Sequence, residues 1–263
     1  PLLLLGETGT GKELVARALH DLGPRADGPF VVINCATLSV DTFERDMIGT
    51  KGGPTGKIAN ASGGTLFLDE IGACPMQVQA MLLRVIEQRE IMPLGASTPV
   101  KLDFRVVSAT NESPEDAVAE GTFRRDLLFR INTVMLSVPS LRERRDDVAF
   151  LFTHFVTQYA QVYEVTPPEL TQEDIAVLLA HDWPGNVREL RNVAERRVLA
   201  ARRGLGSVTQ AMHADHTFDE VPNTLREAVA SFERELIAKA IKAHEGRMDA
   251  VAEALGIGRR TLN

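Results

Sequence analysis

The sequence LLLLGETGTGKELVARAL, from Leu2 to Leu19, joins an apolar run, a glycine-rich turn and an amphipathic helical pattern. Glycines let the backbone turn with its N–H groups pointing inward, and a lysine that opens the following helix lies where the helix dipole favours an anion. This order of features is typical of a phosphate-binding loop. The residues predicted to form it are Gly6, Glu7, Thr8, Gly9, Thr10, Gly11 and Lys12. Glu13 departs from the general motif, which has serine or threonine at that position.

Two adjacent carboxylates follow another apolar run, in the sequence GGTLFLDE at residues 63–70. Acidic side chains at the end of a buried strand commonly accompany a phosphate-binding loop in nucleotide hydrolysis. We predict that Asp69 binds Mg²⁺ and that Glu70 orients the attacking water. Glu13 is compatible with this site, because Mg²⁺ dehydrates reluctantly and can keep a water where the hydroxyl ligand would be.

Short apolar runs alternate with helical patterns over residues 1–140. The runs are LLLL, FVVIN, TLFLD, FRVVSAT and TVMLSVP, and MQVQAMLLRVIEQRE is the clearest helical segment between them. This alternation predicts an α/β fold in which helices cover both faces of a parallel sheet. Over residues 141–204 the periodicity is only helical, which predicts a small helical bundle. The polar, unperiodic residues 205–222 are interpreted as a linker to a last helical segment at 223–263.

The composition of the 263-residue chain argues against several classes of protein. Charged residues interrupt every apolar run before it reaches the roughly 18 to 20 residues of a membrane span, so we expect a cytoplasmic protein with no membrane partner. The net charge of −7 argues against nucleic acid binding over the whole surface and still allows a local basic patch. Cys35 and Cys74 are far apart in sequence, so no disulfide or zinc framework is expected. Both ends of the sequence read as cut from a longer protein.

The last segment, NTLREAVASFERELIAKAIKAHEGRMDAVAEALGIGRRTLN, has the pattern of a helix-turn-helix. A long amphipathic helix is followed by a short helix, a turn around Gly256 and Gly258, and the start of another helix. Arg259 and Arg260 would then lie at the start of the recognition helix, where arginine is suited to DNA phosphates or base edges. The alternative is a basic helical cap that does not bind DNA.

Five motifs, GETGTGKE, GGTLFLDEI, FRRDLLFRIN, LRERRDDV and WPGNVREL, occur in this order along the chain. Together they resemble the AAA+ domain of bacterial enhancer-binding proteins, the NtrC-like activators of sigma-54 RNA polymerase, and among these the DctD-type response-regulator branch. The resemblance implies an AAA+ P-loop NTPase fold with a helical lid and a Fis-type helix-turn-helix. It also implies ATP hydrolysis, a two-component system and assembly into a ring, commonly a hexamer. In this family the loop usually ends in Lys-Glu, so Glu13 is the expected residue.

The resemblance assigns roles to residues near the two carboxylates. Asn34, in INCATL, is similar to the switch asparagine that hydrogen-bonds the catalytic glutamate, here Glu70, and relays the nucleotide state. Thr110 and Asn111 close the apolar run VVSATN and resemble the first sensor of the family. All three are therefore expected at the catalytic site.

Three arginines also match positions in the family motifs. Arg124 and Arg130, in FRRDLLFR, resemble the paired arginine fingers that reach into the site of a neighbouring subunit. Arg188, in WPGNVREL, resembles the second sensor, which the lid holds over the phosphates. Phosphoryl charge must be neutralised in the transition state, and an arginine finger accelerates such a reaction about 10³-fold to 10⁵-fold.

One loop departs from the pattern of this family. Members that remodel sigma-54 carry Gly-Ala-Phe-Thr-Gly-Ala before the catalytic carboxylates, whereas this chain reads DMIGTKGGPTGKIANASGGTLFLDE. Only TKGGPT occupies the place of the loop, and the phenylalanine that contacts the sigma factor in the family is absent. Two readings follow: activation of RNA polymerase with sigma-54, or DNA-bound regulation independent of sigma-54 in which nucleotide controls assembly only. Another sigma factor is the partner implied by the second reading.

Overall fold

The computed structural model of the chain describes residues 1–201 and 207–213. Five of its strands form a parallel sheet in the order β2-β3-β6-β1-β7, and β4 and β5 form a separate antiparallel hairpin. The strands are β1 Leu2–Leu5, β2 Phe30–Asn34, β3 Thr65–Asp69, β4 Glu90–Ile91, β5 Val100–Lys101, β6 Arg105–Thr110 and β7 Val134–Ser137. The prediction of a parallel α/β sheet is confirmed, and its five strands are the five apolar runs.

Helices connect most of the strands, and within the described residues only helices follow β7. The α-helices are α1 Lys12–Asp21, α2 Val40–Thr42, α3 Met76–Gln88, α4 Pro114–Ala119, α5 Arg125–Ile131, α6 Asp146–Val162, α7 Gln172–Ala180, α8 Asn186–Ala201 and α9 Val208–His213. A π-helix, Phe43–Ile48, continues α2, and short 3-10 turns include Cys35–Thr37, Ile71–Ala73 and Leu141–Glu143. We call residues 141–201, which contain the turn Leu141–Glu143 and the helices α6, α7 and α8, the helical domain.

Strands β1, β3 and β6 are mostly buried on both faces of the sheet, which explains why they read as continuous apolar runs, whereas the edge strand β7 is exposed. Successive side chains of a strand point to opposite faces. Leu66 and Leu68 accordingly belong to a large core with α3 and α5, while Phe67 belongs to a smaller core with Leu4 and α1. All parallel strands direct their carboxyl ends to one edge of the sheet. In the β2–β3 register Asn34 lies beside Asp69, which brings the sequences that contain these two residues together at that edge.

The shortened loop after the π-helix is closed by backbone contacts. Gly49 bridges to Thr55, and Thr50 bridges to Leu94 beyond the β4 strand. The Leu94 N–H donates to Gly49 O at 2.9 Å, and the Lys51 N–H donates to Leu94 O at 2.9 Å. Gly49 has φ +87°, and a Cβ added there would lie 2.5 Å from Gly56 N. The loop therefore depends on a glycine at its first position.

Helix α9 lies inside residues 205–222, the stretch interpreted as a linker. Val208 is buried, and its N–H donates to Asp174 Oδ1 in α7 at 2.9 Å. A six-residue helix contains too few turns for an apolar period to be read, and α9 is held by this tertiary contact. The predicted recognition-helix residues Arg259 and Arg260 lie outside the described residues. Among the residues that are described, no helix has the length and apolar character to cross a membrane.

Candidate active site

The glycine-rich loop joins β1 to α1 at the carboxyl edge of the sheet. Gly9 and Gly11 have φ +81° and +98°, conformations that favour glycine, and Gly11 caps α1. The Gly6 N–H donates to Thr110 O at 3.2 Å, which fastens the loop to β6. The Lys12 ammonium donates to Gly6 O at 2.7 Å, so it lies over the loop at the N-terminal end of α1. A glycine-rich turn, a helix N-terminus and a lysine together form an anion-binding cradle.

A cleft of about 360 Å³ opens above this loop. Nine residues predicted to act at the site line it: Thr8, Gly9, Gly11, Lys12, Glu13, Asp69, Glu70, Asn111 and Arg188. Four lining residues were not predicted: Leu14, Phe155, Val187 and Arg191. The helical domain and the sheet therefore contribute to the same cleft.

Asp69 and Glu70 lie at the mouth of the cleft, at the end of β3. Glu70 is half-buried and has φ +52°, a left-handed conformation that costs a residue with a Cβ about 1 to 3 kcal/mol. Its N–H donates to Asp69 Oδ1 at 3.1 Å. Burial, with a further contribution from the charge of Glu70, raises the pKa of Asp69 above its ordinary value. Burial likewise lowers the pKa of Lys12, although both carboxylates oppose that change.

The donor set suits a hard divalent cation. Three carboxylate residues, Asp69, Glu70 and Glu13, line the cleft, and the pKa of Asp69 is raised mainly by burial. Among the described residues no group of three or more His, Cys, Asp or Glu side chains forms a protein cage for a metal. Mg²⁺ does not require such a cage, because it is usually held by one or two carboxylates, phosphates and water.

The predicted sensor residues differ in what their side chains contact. Asn111 Nδ2 donates to Thr8 Oγ1 at 3.4 Å, beside the cleft. Thr110 is buried, and its Oγ1 accepts from the Glu112 N–H at 3.2 Å. Asn34 Oδ1 accepts from the Ala36 N–H at 2.9 Å. Its implied hydrogen bond to Glu70 is not formed in the part of the chain that the structure describes, so its switch role stays a prediction.

Arg124 and Arg130 lie outside the cleft of their own chain. Arg124 precedes α5 and forms an ion pair with Asp126, with Nη2 to Oδ2 at 2.7 Å. Arg130 is exposed, and Phe129 between them is 77% exposed. Both arginines are thus on a surface where they can reach another molecule, and the structure does not bring them to their own nucleotide site.

The helical domain rests directly on the glycine-rich loop. The Arg188 N–H donates to Gly9 O at 3.3 Å, and a Cβ on Gly9 would collide with Gly185 O. The Glu7 carboxylate faces Arg142 and Asn186 of the helical domain and does not line the cleft. The hydrogen bonds from these two side chains lower the pKa of Glu7 to about 2. Glu7 and Thr10, whose hydroxyl donates to Glu7 O at 2.8 Å, therefore shape the loop from behind.

The cleft residues that were missed follow from helix geometry. Arg191 lies three residues after Arg188 in α8, and residues at that spacing share one face of a helix. The predicted position of Arg188 could therefore have indicated Arg191. Phe155 shares an apolar helical stripe with Val148 and Phe152, and periodicity alone does not distinguish a core residue from a residue that lines a cleft.

Comparison with known proteins identifies the class to which this fold and site belong. Residues 1–137 match the model of the sigma-54 interaction domain, residues 142–230 the AAA+ ATPase lid domain, and residues 228–263 the bacterial regulatory protein, Fis family. The chain belongs to the family of sigma-54 interaction domains, with the AAA+ architecture and the NtrC-like kinship that the sequence motifs predicted.

Individual relatives cover the whole of this chain. The C4-dicarboxylate transport transcriptional regulatory protein DctD of Pseudomonas aeruginosa is 45% identical over 270 residues, which include 100% of this chain and 57% of DctD. DctD of Rhizobium meliloti is 41% identical and covers 99% of this chain, which in turn spans 57% of that protein. The crystal structure of NtrX from Brucella abortus in complex with ATP superimposes with a TM-score of 0.78 at 36% identity, covering 99% of this chain and 61% of NtrX. The chain therefore spans little more than half of these relatives.

The comparisons also bear on the two readings that the shortened loop left open. The sigma-54 interaction domain matches across residues 49–57 despite the absent phenylalanine. Regulation independent of sigma-54 is therefore not the favoured reading.

Proposed function

We propose that this chain is the motor of an ATP-hydrolysing AAA+ transcriptional regulator that couples ATP turnover to activation of sigma-54 RNA polymerase. A single observation carries the proposal: the phosphate-binding loop, the Asp69–Glu70 pair and Arg188 line one cleft. The ATP complex of NtrX, a relative of the same fold, supports ATP as the nucleotide. The Fis-family match at residues 228–263 supports DNA as a further partner.

Each cleft residue has a chemical task in this proposal. Backbone N–H groups of residues 8–11 and the Lys12 ammonium bind the β- and γ-phosphates, and Arg188 adds positive charge from the helical domain. Asp69 would hold Mg²⁺, which when bound neutralises phosphate charge and orients the γ-phosphate. Glu70 orients the attacking water. Asn34, Thr110 and Asn111 relay the presence of the γ-phosphate to the surrounding loops.

The unpredicted lining residues complete the nucleotide site. Leu14, Phe155 and Val187 give one side of the cleft an apolar surface, which suits the base and ribose of a nucleotide. Arg191 adds a second arginine on the α8 face. Its Nε donates to Tyr159 Oη at 2.7 Å, which fixes the direction of its side chain.

The positions of Arg124 and Arg130 support assembly of several copies of the chain. Arg124 and Arg130 do not line the cleft of their own chain, so the positive charge they offer is available to a neighbouring copy. We propose a homo-oligomeric ring, a hexamer by resemblance to the family, in which these arginines complete the adjacent site. Hydrolysis then depends on assembly, because the cleft of an isolated chain receives no arginine finger from a neighbouring copy.

The proposal is tested by Glu70→Gln. The amide keeps the size of the side chain but cannot act as a base, so ATP binding should persist while turnover falls at least 100-fold, the lower limit of a typical general-base contribution. ATP binding is measured with a fluorescent analogue, and turnover by phosphate release. Glu115→Gln is the matched control, because Glu115 is an exposed carboxylate in the first turn of α4 outside the cleft.

Transcription in vitro separates the two readings of the shortened loop. With the full-length protein and sigma-54 polymerase, wild type should activate an enhancer-dependent promoter and Glu70→Gln should not. Activation that survives Glu70→Gln, or that requires the housekeeping sigma factor in place of sigma-54, would contradict ATP-driven activation of sigma-54 polymerase. Normal ATP turnover by Glu70→Gln would contradict the role of Glu70.

A further inference from the structure

Three side chains connect the back of the glycine-rich loop to the helical domain. Arg142 Nη1 donates to Glu7 Oε2 at 2.8 Å, and Arg142 Nη2 donates to Glu7 Oε1, so the pair is bidentate. Asn186 Nδ2 donates to the same Glu7 Oε2 at 3.1 Å and to Thr8 O at 3.1 Å. Bidentate arginine–carboxylate pairs fix orientation better than single ion pairs do.

Asn186 is the centre of this arrangement. Its side chain is fully buried, and its Oδ1 accepts from the Leu141 N–H at 2.8 Å, so its donor and acceptor groups are used at once. The residue has φ +52°, a left-handed conformation that asparagine tolerates better than most residues. A buried amide with these partners in a strained backbone has few alternative positions. It therefore fixes the first turn of α8 relative to residues 7 and 8.

Arg188 lies two residues further along the same helix turn. Its side chain lines the nucleotide cleft, whereas its N–H donates to Gly9 O on the loop. Arg144 Nη2 adds a contact from the helical domain to Thr10 O at 3.1 Å. The loop that binds phosphate and the helix that carries Arg188 thus share a set of contacts on the side away from the cleft.

We propose that Glu7, Arg142 and Asn186 form a latch that holds the helical domain on the phosphate-binding loop and so positions Arg188 for the ATP hydrolysis proposed above. None of the three touches the reacting atoms, and all act as positioning residues. Loosening the latch lets the first turn of α8 move, and Arg188 then spends less time at the phosphates. The loss of ATPase activity should therefore come only from the displaced Arg188, since the phosphate-binding loop itself remains intact.

The test is a double-mutant cycle on the full chain. Asn186→Gly removes the side chain and tolerates the positive φ, and Glu7→Gln removes the charge that Arg142 and Asn186 share. Each is made with Arg188 present and in an Arg188→Ala background. With Arg188 present, each should lower kcat/KM for ATP about tenfold, equivalent to about 1.4 kcal/mol. In the Arg188→Ala background the same changes should lower it less than twofold, because residues that act as a unit are not additive.

Two results would overturn the latch: an unchanged kcat/KM with Arg188 present, or an equal loss in both backgrounds, which a purely structural role predicts. Asp182→Asn is the control, since Asp182 pairs with Arg145 at 3.1 Å within the helical domain and does not contact the loop. Should Asn186→Gly fail to fold, Glu7→Gln at a half-exposed position supplies the same cycle. The same variants are compared by their affinity for a fluorescent ATP analogue, which does not depend on hydrolysis. If the proposed ATPase function fails, the latch can still be tested by this affinity, so the two failures remain distinguishable.

Discussion

At the scale of single residues, Gly9 serves two purposes at once. Its φ of +81° lets the loop turn toward the cleft, and its lack of a Cβ lets Gly185 of the helical domain approach its backbone. The phosphate-binding motif requires glycine for its turn, which is the first purpose only. The second explains why this glycine is required even where another residue could adopt the turn at modest cost.

Gly9→Ala should lower the free energy of unfolding by about 2 to 5 kcal/mol, the sum of a left-handed alanine and an overpacked contact with the Gly185 carbonyl. Gly121→Ala is the matched control: its φ is +77° and nothing lies within 4 Å of an added Cβ. It should cost only about 1 to 2 kcal/mol, from the backbone alone. Urea unfolding followed by the fluorescence of Trp183, the single tryptophan of the chain, measures both. Equal losses would show that the collision with Gly185 carries no cost.

At the scale of elements, Asp174 joins two helices. Its Oδ2 accepts from the Thr171 N–H at 3.1 Å and from the Thr171 hydroxyl at 3.0 Å, which completes the capping box of α7. Its Oδ1 accepts from the Val208 N–H of α9. Burial by itself would raise the pKa of Asp174, but these hydrogen bonds outweigh burial and lower the pKa. The carboxylate thus stays ionised and holds α9 against the helical domain.

Asp174→Ala should cost about 2 to 3 kcal/mol of unfolding free energy, because it removes one half of the capping box of α7 and leaves the buried Val208 N–H without its acceptor. Glu173→Ala, an exposed change in the same helix turn, should stay within about 0.5 kcal/mol of wild type. Hydrogen exchange at the Val208 amide should accelerate in the first variant only. Unchanged protection at Val208 would mean that α9 is held by its apolar contacts alone.

At the scale of the whole molecule, Glu70 and the arginines proposed as fingers, Arg124 and Arg130, lie on separate parts of the surface. Glu70 lines the cleft, whereas Arg124 precedes α5 and the exposed Phe129 lies within α5, and neither residue lines the cleft. A site that is completed by a neighbouring copy can be distinguished from one completed within the chain by mixing two inactive variants.

Arg124→Ala and Glu70→Gln should each hydrolyse ATP poorly alone, and a one-to-one mixture should regain up to about a quarter of the wild-type rate, since random assembly joins intact halves at that fraction of interfaces. Phosphate release from the mixture, with each variant alone as the reference, measures the recovery. If the mixture releases phosphate no faster than expected from the rates of the two variants measured alone, an arginine finger acting between subunits is contradicted. Arg125→Ala, the exposed neighbour, is the control for a general effect of lost charge on α5.

The sequence by itself determined the five parallel strands, the glycine-rich loop, and the carboxylates Asp69 and Glu70. These features depend on residues that are neighbours along the chain, so apolar period, turn chemistry and motif spacing are enough to predict them. The sequence also led to the family through motifs whose order could be read directly. The hairpin of β4 and β5 and the helix α9 were not predicted, because each is too short to show a period.

Only the tertiary structure decided which side chains share the cleft and what holds the helical domain over it. Glu7 and Asn186 meet across a separation of 179 residues, and no local pattern relates them. Glu7 was read as a cofactor-binding residue from its place in the loop, whereas its carboxylate faces Arg142 and Asn186 on the far side from the cleft. Phe155 lines the cleft from a stripe that reads as core. Long-range packing selects among the positions that local chemistry leaves open, and it therefore determines how the helical domain contacts the glycine-rich loop.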